Sequence, residues 1–330
     1  MTIREVEHSI TVAAAAPAVY RLLAEVANWP RIFPPTLFAE QAESQGTREL
    51  IRIWATAGGK AKNWTSRRTL DEAASRITFR QEIPAPPVAA MGGTWIIEAT
   101  GAQSCRVRLL HDYRAIDDNP ADLAWIDEAV DRNSRSELAA LKENLEAACA
   151  AQEHTFSFTD SVRIQGPAAA AYSFIDEAHL WSQRLPHVAS VRLSEEDPGL
   201  QLLEMDTRAK DGSVHTTKSW RVTFPHHKIA YKQVTLPALM SLHTGIWTFT
   251  QERGPQGPST LASSQHTVTL NTANIEAVLG PQATPADARS YVHTALSTNS
   301  RATLEHARNH AENQIGDTAG SGQQAGQRSS

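Results

Sequence analysis

Residues 62–70 read as a strand. Alternation sets Trp64, Ser66, Arg68 and Leu70 on one face and Thr65, Arg67 and Thr69 on the other. One face thereby gathers an indole, a hydroxyl and a guanidinium. A guanidinium on the inward side of a strand is either paired or faces a wet cavity, because an unpaired buried charge is very costly. It keeps its proton in proteins, so Arg68 can hold a polarised carbonyl or a developing oxyanion, with Ser66 fixing a water or carbonyl, but it cannot be a base. Proton transfer near neutral pH calls for a titrating group, and histidine has the matching pKa. The run "CRVRLLHDYRA" puts Val107, Leu109, His111, Tyr113 and Ala115 together, opposite Arg106, Arg108, Asp112 and Arg114. Two readings of His111 stand: a proton-transfer group, or a core histidine bonded to a carbonyl or hydroxyl. Tyr113 shares its face and is a further candidate for touching a ligand.

The same residues come round again. Trp29 and Trp181 stand 152 positions apart, and this offset also pairs Ser9 with Ser161, Tyr20 with Tyr172, Thr65 with Thr217, Ile77 with Ile229, Gln81 with Gln233 and Trp95 with Trp247. Loop insertions at "RGPQGPS" and "NIEAVLGPQATPAD" then enlarge the offset, yet "NSRSEL" (133–138) still answers "NSRATL" (299–304). A repeat of roughly 150 residues is of single-domain size, so this is a tandem duplication of whole domains. The expected division is 1–153 and 154–315, followed by a tail over 316–330 whose Gly, Ser and Gln content predicts disorder. In the second copy Ala262, Ser264, His266, Val268 and Leu270 form the more apolar face, and strand phase sets His266 where the first copy has His111. At the fixed offset the Ser66 and Arg68 positions read Lys218 and Trp220. The second pocket is therefore expected to be chemically different from the first.

The elements that would position these groups follow from periodicity. In the first copy a strand ("VEHSITV") meets a helix with Pro17 in its first turn and Val19, Leu22, Leu23 and Val26 at helical spacing. Period-two runs follow around 36–43, 48–56, 62–70, 76–83 and 93–99, then the His111 strand, and Asn119-Pro120 opens a long amphipathic helix carrying Leu138, Leu141 and Leu145. Connections such as "DEAAS" are too short for parallel crossovers. An α+β fold is expected in each copy: a curved antiparallel sheet with a long C-terminal helix across its mouth, and a cavity wherever inward side chains leave space.

Composition narrows the function. The 330 residues carry 31 Lys+Arg and 36 Asp+Glu for a net charge of −5, which gives no basic excess for nucleic acid or an anionic membrane. "MTIREVEHSI" lacks the apolar run of a signal peptide and no stretch approaches a membrane span, so the cytoplasm is the expected location. Cys105 and Cys149 have no CxxC companion, and His306 with His310 lack the glutamate and third ligand of a zinc helix. Neither a phosphate loop nor GxSxG is present. No cofactor or metal is expected.

In order along the chain, the Pro17–Tyr20 helix, "NWPRIF", Trp64-x-Ser66-x-Arg68, "TW" at 94–95 and "NSR" in the last helix resemble the aromatase/cyclases of bacterial type II polyketide synthases, of the START-like, Bet v 1-like helix-grip superfamily. The duplication is similar to the di-domain subclass, and the resemblance spans about residues 5–312. It implies pocket roles for Trp29, Trp64 and Trp95 and, in the second copy, Trp181, Trp220 and Trp247, with Arg68 polarising the substrate. The tyrosine that follows the "NWP" bend in single-domain members is Thr36 here and Val188 in the second copy. The implied activity is to bend a poly-β-ketone and direct first-ring aldol closure between C7 and C12, or promote dehydration to an aromatic ring, or both. The implied partner is an acyl carrier protein bearing the phosphopantetheine-linked chain, with the pathway's ketosynthase or ketoreductase as further candidates. The first copy is expected to close the ring and the second, through His266 with Lys218, to drive loss of water. A non-catalytic binding protein for a lipid, quinone or polyketide, or a protein-binding module, is the alternative; "WTSRR" is too polar for an apolar carrier.

Overall fold

The computed structural model describes residues 3–57, 60–146, 154–208, 212, 214–254 and 257–325. The chain divides into two units, Met1–Gln152 and Glu153–Ser330. In the first unit β1 (Arg4–Val12) leads into α1 (Ala16–Ala24) and α2 (Trp29–Ile32). Six strands follow, β2 (Thr36–Gln45), β3 (Arg48–Ala57), β4 (Lys60–Asp71), β5 (Arg76–Gln81), β6 (Val88–Gly101) and β7 (Ser104–Ala115), and then the long α3 (Pro120–Glu146). They form one seven-stranded sheet in the order β1-β7-β6-β5-β4-β3-β2. Every pairing is antiparallel.

The second unit repeats the plan with β8 (Thr155–Gln165), α4 (Ala168–Asp176), α5 (Trp181–Arg184), β9 (Val188–Asp197), β10 (Leu200–Arg208), β11 (Val214–Phe224), β12 (Lys228–Thr235), β13 (Met240–Gly254) and β14 (Gly257–Leu270). After these come α6 (Ile275–Leu279) and α7 (Pro285–Ala325). Its sheet runs β8-β14-β13-β12-β11-β10-β9. Each unit is a helix-grip domain, as expected from the alternation and the short connections. α7 continues beyond residue 315, through most of the segment expected to be a disordered tail. Extending a helix that is already nucleated gains one hydrogen bond per residue fixed, which offsets the poor propensity of its glycines. Residues 326–330 lie outside the described residues, as does Cys149; Cys105 is a buried free thiol of the first core. No helix among the described residues is long and apolar enough to cross a membrane.

In α1 the buried positions are Ala16, Val19, Tyr20 and Leu23, a helical stripe that turns one face to the sheet. The long helix α3 buries Ile126, Val130, Ser134, Leu138 and Leu141 in the same way. Polar ties then fix its register on the strands. His8 Nε2 and Asp131 Oδ1 are 2.9 Å apart, and Tyr113 donates its hydroxyl to Asp127 Oδ1 at 2.6 Å. Tyr113 is thus a buried anchor for α3 within an apolar cluster that includes Ile126 and Val130, not the ligand contact expected from its face. In the second unit Asp160 of β8 accepts from Ser297 (2.9 Å), Ser300 (2.6 Å) and Arg301 (2.6 Å) of α7.

Register corrects the fixed offset. Glu49 pairs with Arg68, and the equivalent Gln201 pairs with Arg221, not Trp220. Ser66 lies across from Gln81, and Ser219 from Gln233. The hairpin from Gln201 to Arg221 is one residue longer than that from Glu49 to Arg68, and the β11–β12 turn is one residue shorter than the β4–β5 turn, so Ile77 and Ile229 return to the original spacing opposite Trp95 and Trp247. The serine and arginine of the first copy are therefore kept in the second, as Ser219 and Arg221.

Replacing Asp160 by alanine leaves two buried serine hydroxyls on α7 without their charged acceptor. Hydrogen bonds to charged groups are worth about 1.5–3 kcal/mol each, so the second unit is expected to lose about 2–4 kcal/mol in urea unfolding. An unchanged midpoint would show that α7 is held by its apolar face alone.

Candidate active site

The two buried arginines close the ends of helices. The last carbonyls of a helix lack partners within it and carry the negative end of its dipole. Arg68 donates to the carbonyls of Leu23 (3.1 Å) and Ala24 (2.7 Å) at the end of α1. It is ion-paired with Glu49, and its guanidinium lies 5.3 Å over the ring of Trp29, whose Nε1 also donates to Leu23 O at 3.1 Å. Its Nε is buried without a partner among the described residues. Arg68 points inward with Ser66, as strand phase requires, but the pairing with Glu49 gives it a structural task that strand phase alone does not reveal.

Arg221 repeats this arrangement with one change. It donates to Ile175 O (2.7 Å) and Asp176 O (3.5 Å) and lies 5.5 Å from the ring of Trp181, which donates to Phe174 O at 3.1 Å. Gln201 stands where the first unit has Glu49, and its amide donates to Asp176 Oδ1 and Glu195 Oε2. With no carboxylate at the Glu49 position, burial pushes the Arg221 guanidinium down to about 10, against the nearby negative charge of Asp176 and Glu195.

Arg221 also walls a cavity of about 140 Å³ between the second sheet and α7, together with Trp181, Trp247, Ser219, Asn299 and Thr303. Trp181 and Trp247, both expected to bind substrate, line this cavity. Lys218 and Trp220 do not. They occupy the opposite face of β11, where Lys218 is 38% exposed and reaches Glu204 at 3.8 Å. In the first unit, Trp29 and Trp64 pack against the cluster around Ile51 and Ile53, and Trp95 is buried in the main core near Phe33.

The two sequence-marked histidines occupy one structural position, His111 opposite Gly93 and His266 opposite Gly245. Burial pushes His111 down to about 4, reinforced by His8 and opposed by Asp112; Ser134 Oγ lies 3.5 Å from its Nδ1 and the ring of Phe79 meets it edge-on. His266 has richer company. Its Nδ1 lies 2.9 Å from Tyr231 Oη and 3.0 Å from His243 Nε2, and its Nε2 lies 3.0 Å from Ser264 Oγ. His243 Nδ1 in turn meets Gln233 Oε1 at 2.9 Å. Burial holds His266 down to about 4, opposed by Asp160 and reinforced by His293, and holds His243 down to about 3, with His266 adding to the effect. Both are neutral imidazoles at pH 7. Tyr231, His243 and His266 all face the cavity.

One group that strand reading could not reach is Glu137. It sits on α3 one turn beyond Ser134, at the position where Thr303 faces the second cavity, and desolvation pushes its carboxyl up to about 7. A carboxyl with that pKa can both take and give a proton at neutral pH. Helix position marked only its neighbours in "NSRSEL". His243 and Tyr231 are equally inconspicuous in the sequence, each one residue of an ordinary alternating strand.

Residues 4–146 match the family described as polyketide cyclase/dehydrase and lipid transport. The chain is 56% identical over 303 residues to the granaticin polyketide synthase bifunctional cyclase/dehydratase of Streptomyces virginiae, covering 92% of this chain and 98% of that protein. It is 42% identical over 312 residues to the actinorhodin polyketide synthase bifunctional cyclase/dehydratase of Streptomyces coelicolor, covering 92% and 95%. Among solved structures, the di-domain aromatase/cyclase BexL of the BE-7585A biosynthetic pathway is similar at a TM-score of 0.86 and 65% identity, over 94% of this chain and 99% of that one. StfQ of the steffimycin pathway gives a TM-score of 0.84 at 32% identity, again over 94% and 99%.

Two outcomes follow from this geometry. Arg68→Ala strands the buried Glu49 carboxylate and opens the end of α1, so it is expected to cost about 3–5 kcal/mol and to lower the first unit's unfolding midpoint; a variant as stable as the parent would show that Glu49 is solvated. The second concerns pH. The unfolded chain protonates His243 and His266 near 6.5, while the fold keeps them neutral until about 3 and about 4. Stability is therefore full above pH 6.5 and lost as pH falls towards 4, by about 3 kcal/mol from His266 alone. Urea midpoints measured between pH 7 and 4 should fall accordingly, and a flat profile would contradict the burial of these rings.

Proposed function

Because the chain belongs to the di-domain polyketide aromatase/cyclases, we propose that it acts on a poly-β-ketone tethered to an acyl carrier protein, closing the first ring between C7 and C12 and then removing water to aromatise it. The carrier protein is the partner that must present the chain, and a ketosynthase or ketoreductase of the same pathway would act before it. A methylene between two carbonyls is already acidic. The protein has to bend the chain, remove one proton, and stabilise the oxygen that gains charge.

What supports this reading is that the titratable groups differ between the domains: a carboxyl at Glu137 where the second has Thr303, and a hydrogen-bonded cluster around His266 where the first has an apolar setting for His111. In the first domain Glu137 supplies a carboxylate matched to neutral pH, beside Ser134 and His111. It would take the methylene proton, the resulting carbanion would attack the chosen carbonyl carbon, and the new alkoxide would recover a proton. In the second, Arg221 and Trp181 wall a cavity that also holds the cluster around His266, a lining suited to an oxygenated, ring-closed chain. There a proton leaves the carbon next to the new alcohol, the C–O bond breaks, and water departs. An apolar lipid carrier would have no use for so many imidazoles and hydroxyls. The pairing of the second domain with dehydration keeps the division expected from the sequence, with the His266 cluster and Arg221 as its residues and without Lys218.

Product analysis on a carrier-bound chain tests the division in the intact protein. Glu137→Gln is expected to slow ring closure by about 10²–10⁴, the usual worth of a general base, and to release uncyclised or spontaneously cyclised chains. His266→Ala is expected to accumulate a cyclised, non-aromatic product. Identical product profiles from the two variants would contradict a division of labour between the domains.

A further inference from the structure

His111 and His266 share a position, but duplication has left them in opposite surroundings. The three register positions around His111 hold Phe79, Met91 and Leu109; around His266 the same positions hold Tyr231, His243 and Ser264. Three apolar side chains have become three polar ones, and each bonds the histidine. Buried polar groups are tolerated only when they satisfy one another, so a cluster of this kind is either complete or strongly destabilising. This one is complete: none of its side-chain polar atoms is buried without a partner.

Donor bookkeeping orders its protons. Gln233 presents its carbonyl to His243 Nδ1, so that nitrogen carries the proton and Nε2 is bare. His266 Nδ1, 3.0 Å from this bare nitrogen, must then be the donor, which leaves its own Nε2 to accept from Ser264. The same Nδ1–H is 2.9 Å from Tyr231 Oη, and Tyr231 Oη is 3.3 Å from His243 Nε2. A phenol, a bare imidazole nitrogen and one shared N–H thus meet at a single junction on the cavity wall. Gly245 makes the junction possible, since a Cβ there would lie 2.3 Å from the Tyr231 oxygen.

We propose that Tyr231 and His243 are the acid and base of the water-eliminating step, and that His266 is the positioning residue that holds them together. This rests on the reading that the second domain performs the elimination. His243 Nε2 takes the proton from the carbon beside the alcohol. The electron pair of that C–H bond forms the new C=C bond, the C–O bond breaks, and the departing hydroxyl takes the Tyr231 proton and leaves as water. The His266 Nδ1–H then turns wholly to the phenolate, and His243 returns its proton across the 3.3 Å gap to Tyr231. One proton leaves carbon and one joins oxygen, and the site ends as it began without any co-reactant.

The first copy supplies variants that the fold already accommodates, Tyr231→Phe and His243→Met. In the full chain on a carrier-bound polyketide, each is expected to lower kcat for dehydration by about 10²–10⁴ with KM little changed and first-ring closure at the parent rate. The double variant should be no slower than the worse single one, as for groups acting as a unit. Urea midpoints serve as a control for folding. Parent turnover in Tyr231→Phe, or a rise in KM alone in either variant, would overturn the assignment of acid and base. Parent dehydration in His266→Ala and in both of these variants would instead overturn the reading that the second domain eliminates water.

Discussion

A buried guanidinium at the end of a helix is the contact on which each domain's interior depends. The first helix must stop where the chain turns towards the sheet, and stopping leaves carbonyls with nothing to accept from. Arg68 and Arg221 reach across from the fourth strand of each sheet to supply those donors. A tryptophan that bonds the same helix end lies beneath each cation. Helix, bend and sheet are thereby fixed to one another at one point, and the wall of the second cavity is set by the same residues that keep the fold together. Solvating this charge elsewhere would cost the helix end its partners, and leaving it unpaired would cost several kcal/mol.

From that shared frame the two domains diverge in a few positions. Glu49 neutralises Arg68, whereas Gln201 leaves Arg221 to carbonyls and more distant charge. On the long helix, Glu137 faces inward where the second copy has Thr303, and on the central strands an apolar setting around one histidine becomes a hydrogen-bonded cluster around the other. These exchanges leave the sheet order and the long helix unchanged. Together they put a near-neutral carboxyl in one domain and neutral imidazoles beside a phenol in the other, so the chemistry changes while the architecture does not.

Strand phase correctly sends Ser66, Arg68, His111 and His266 inward, because period-two alternation is fixed by backbone geometry, and the duplicated tryptophans mark the two-domain plan. The fixed offset misplaces the second arginine, since a single extra residue before β11 reverses which side chains face the core; Lys218 and Trp220 are read as inward for that reason alone. Pairing is equally invisible from one strand. The partner that occupies Arg68, Glu49, lies on the adjacent strand, and the partner that buries Tyr113's hydroxyl, Asp127, lies on the last helix. Glu137 is hidden for the converse reason: a carboxylate on an amphipathic helix reads as solvated until the sheet that desolvates it is in place.

Supplying the ring-closed but still hydrated β-hydroxy ketone directly to the intact protein separates the two domains' work most cleanly, since the first step is then already done. Glu137→Gln is expected to dehydrate this compound at the parent rate, whereas His266→Ala is expected to dehydrate it at least about tenfold more slowly, a loss of about 1.4 kcal/mol in transition-state stabilisation. Loss of dehydration in Glu137→Gln with parent rates in His266→Ala would contradict this and place the elimination in the first domain.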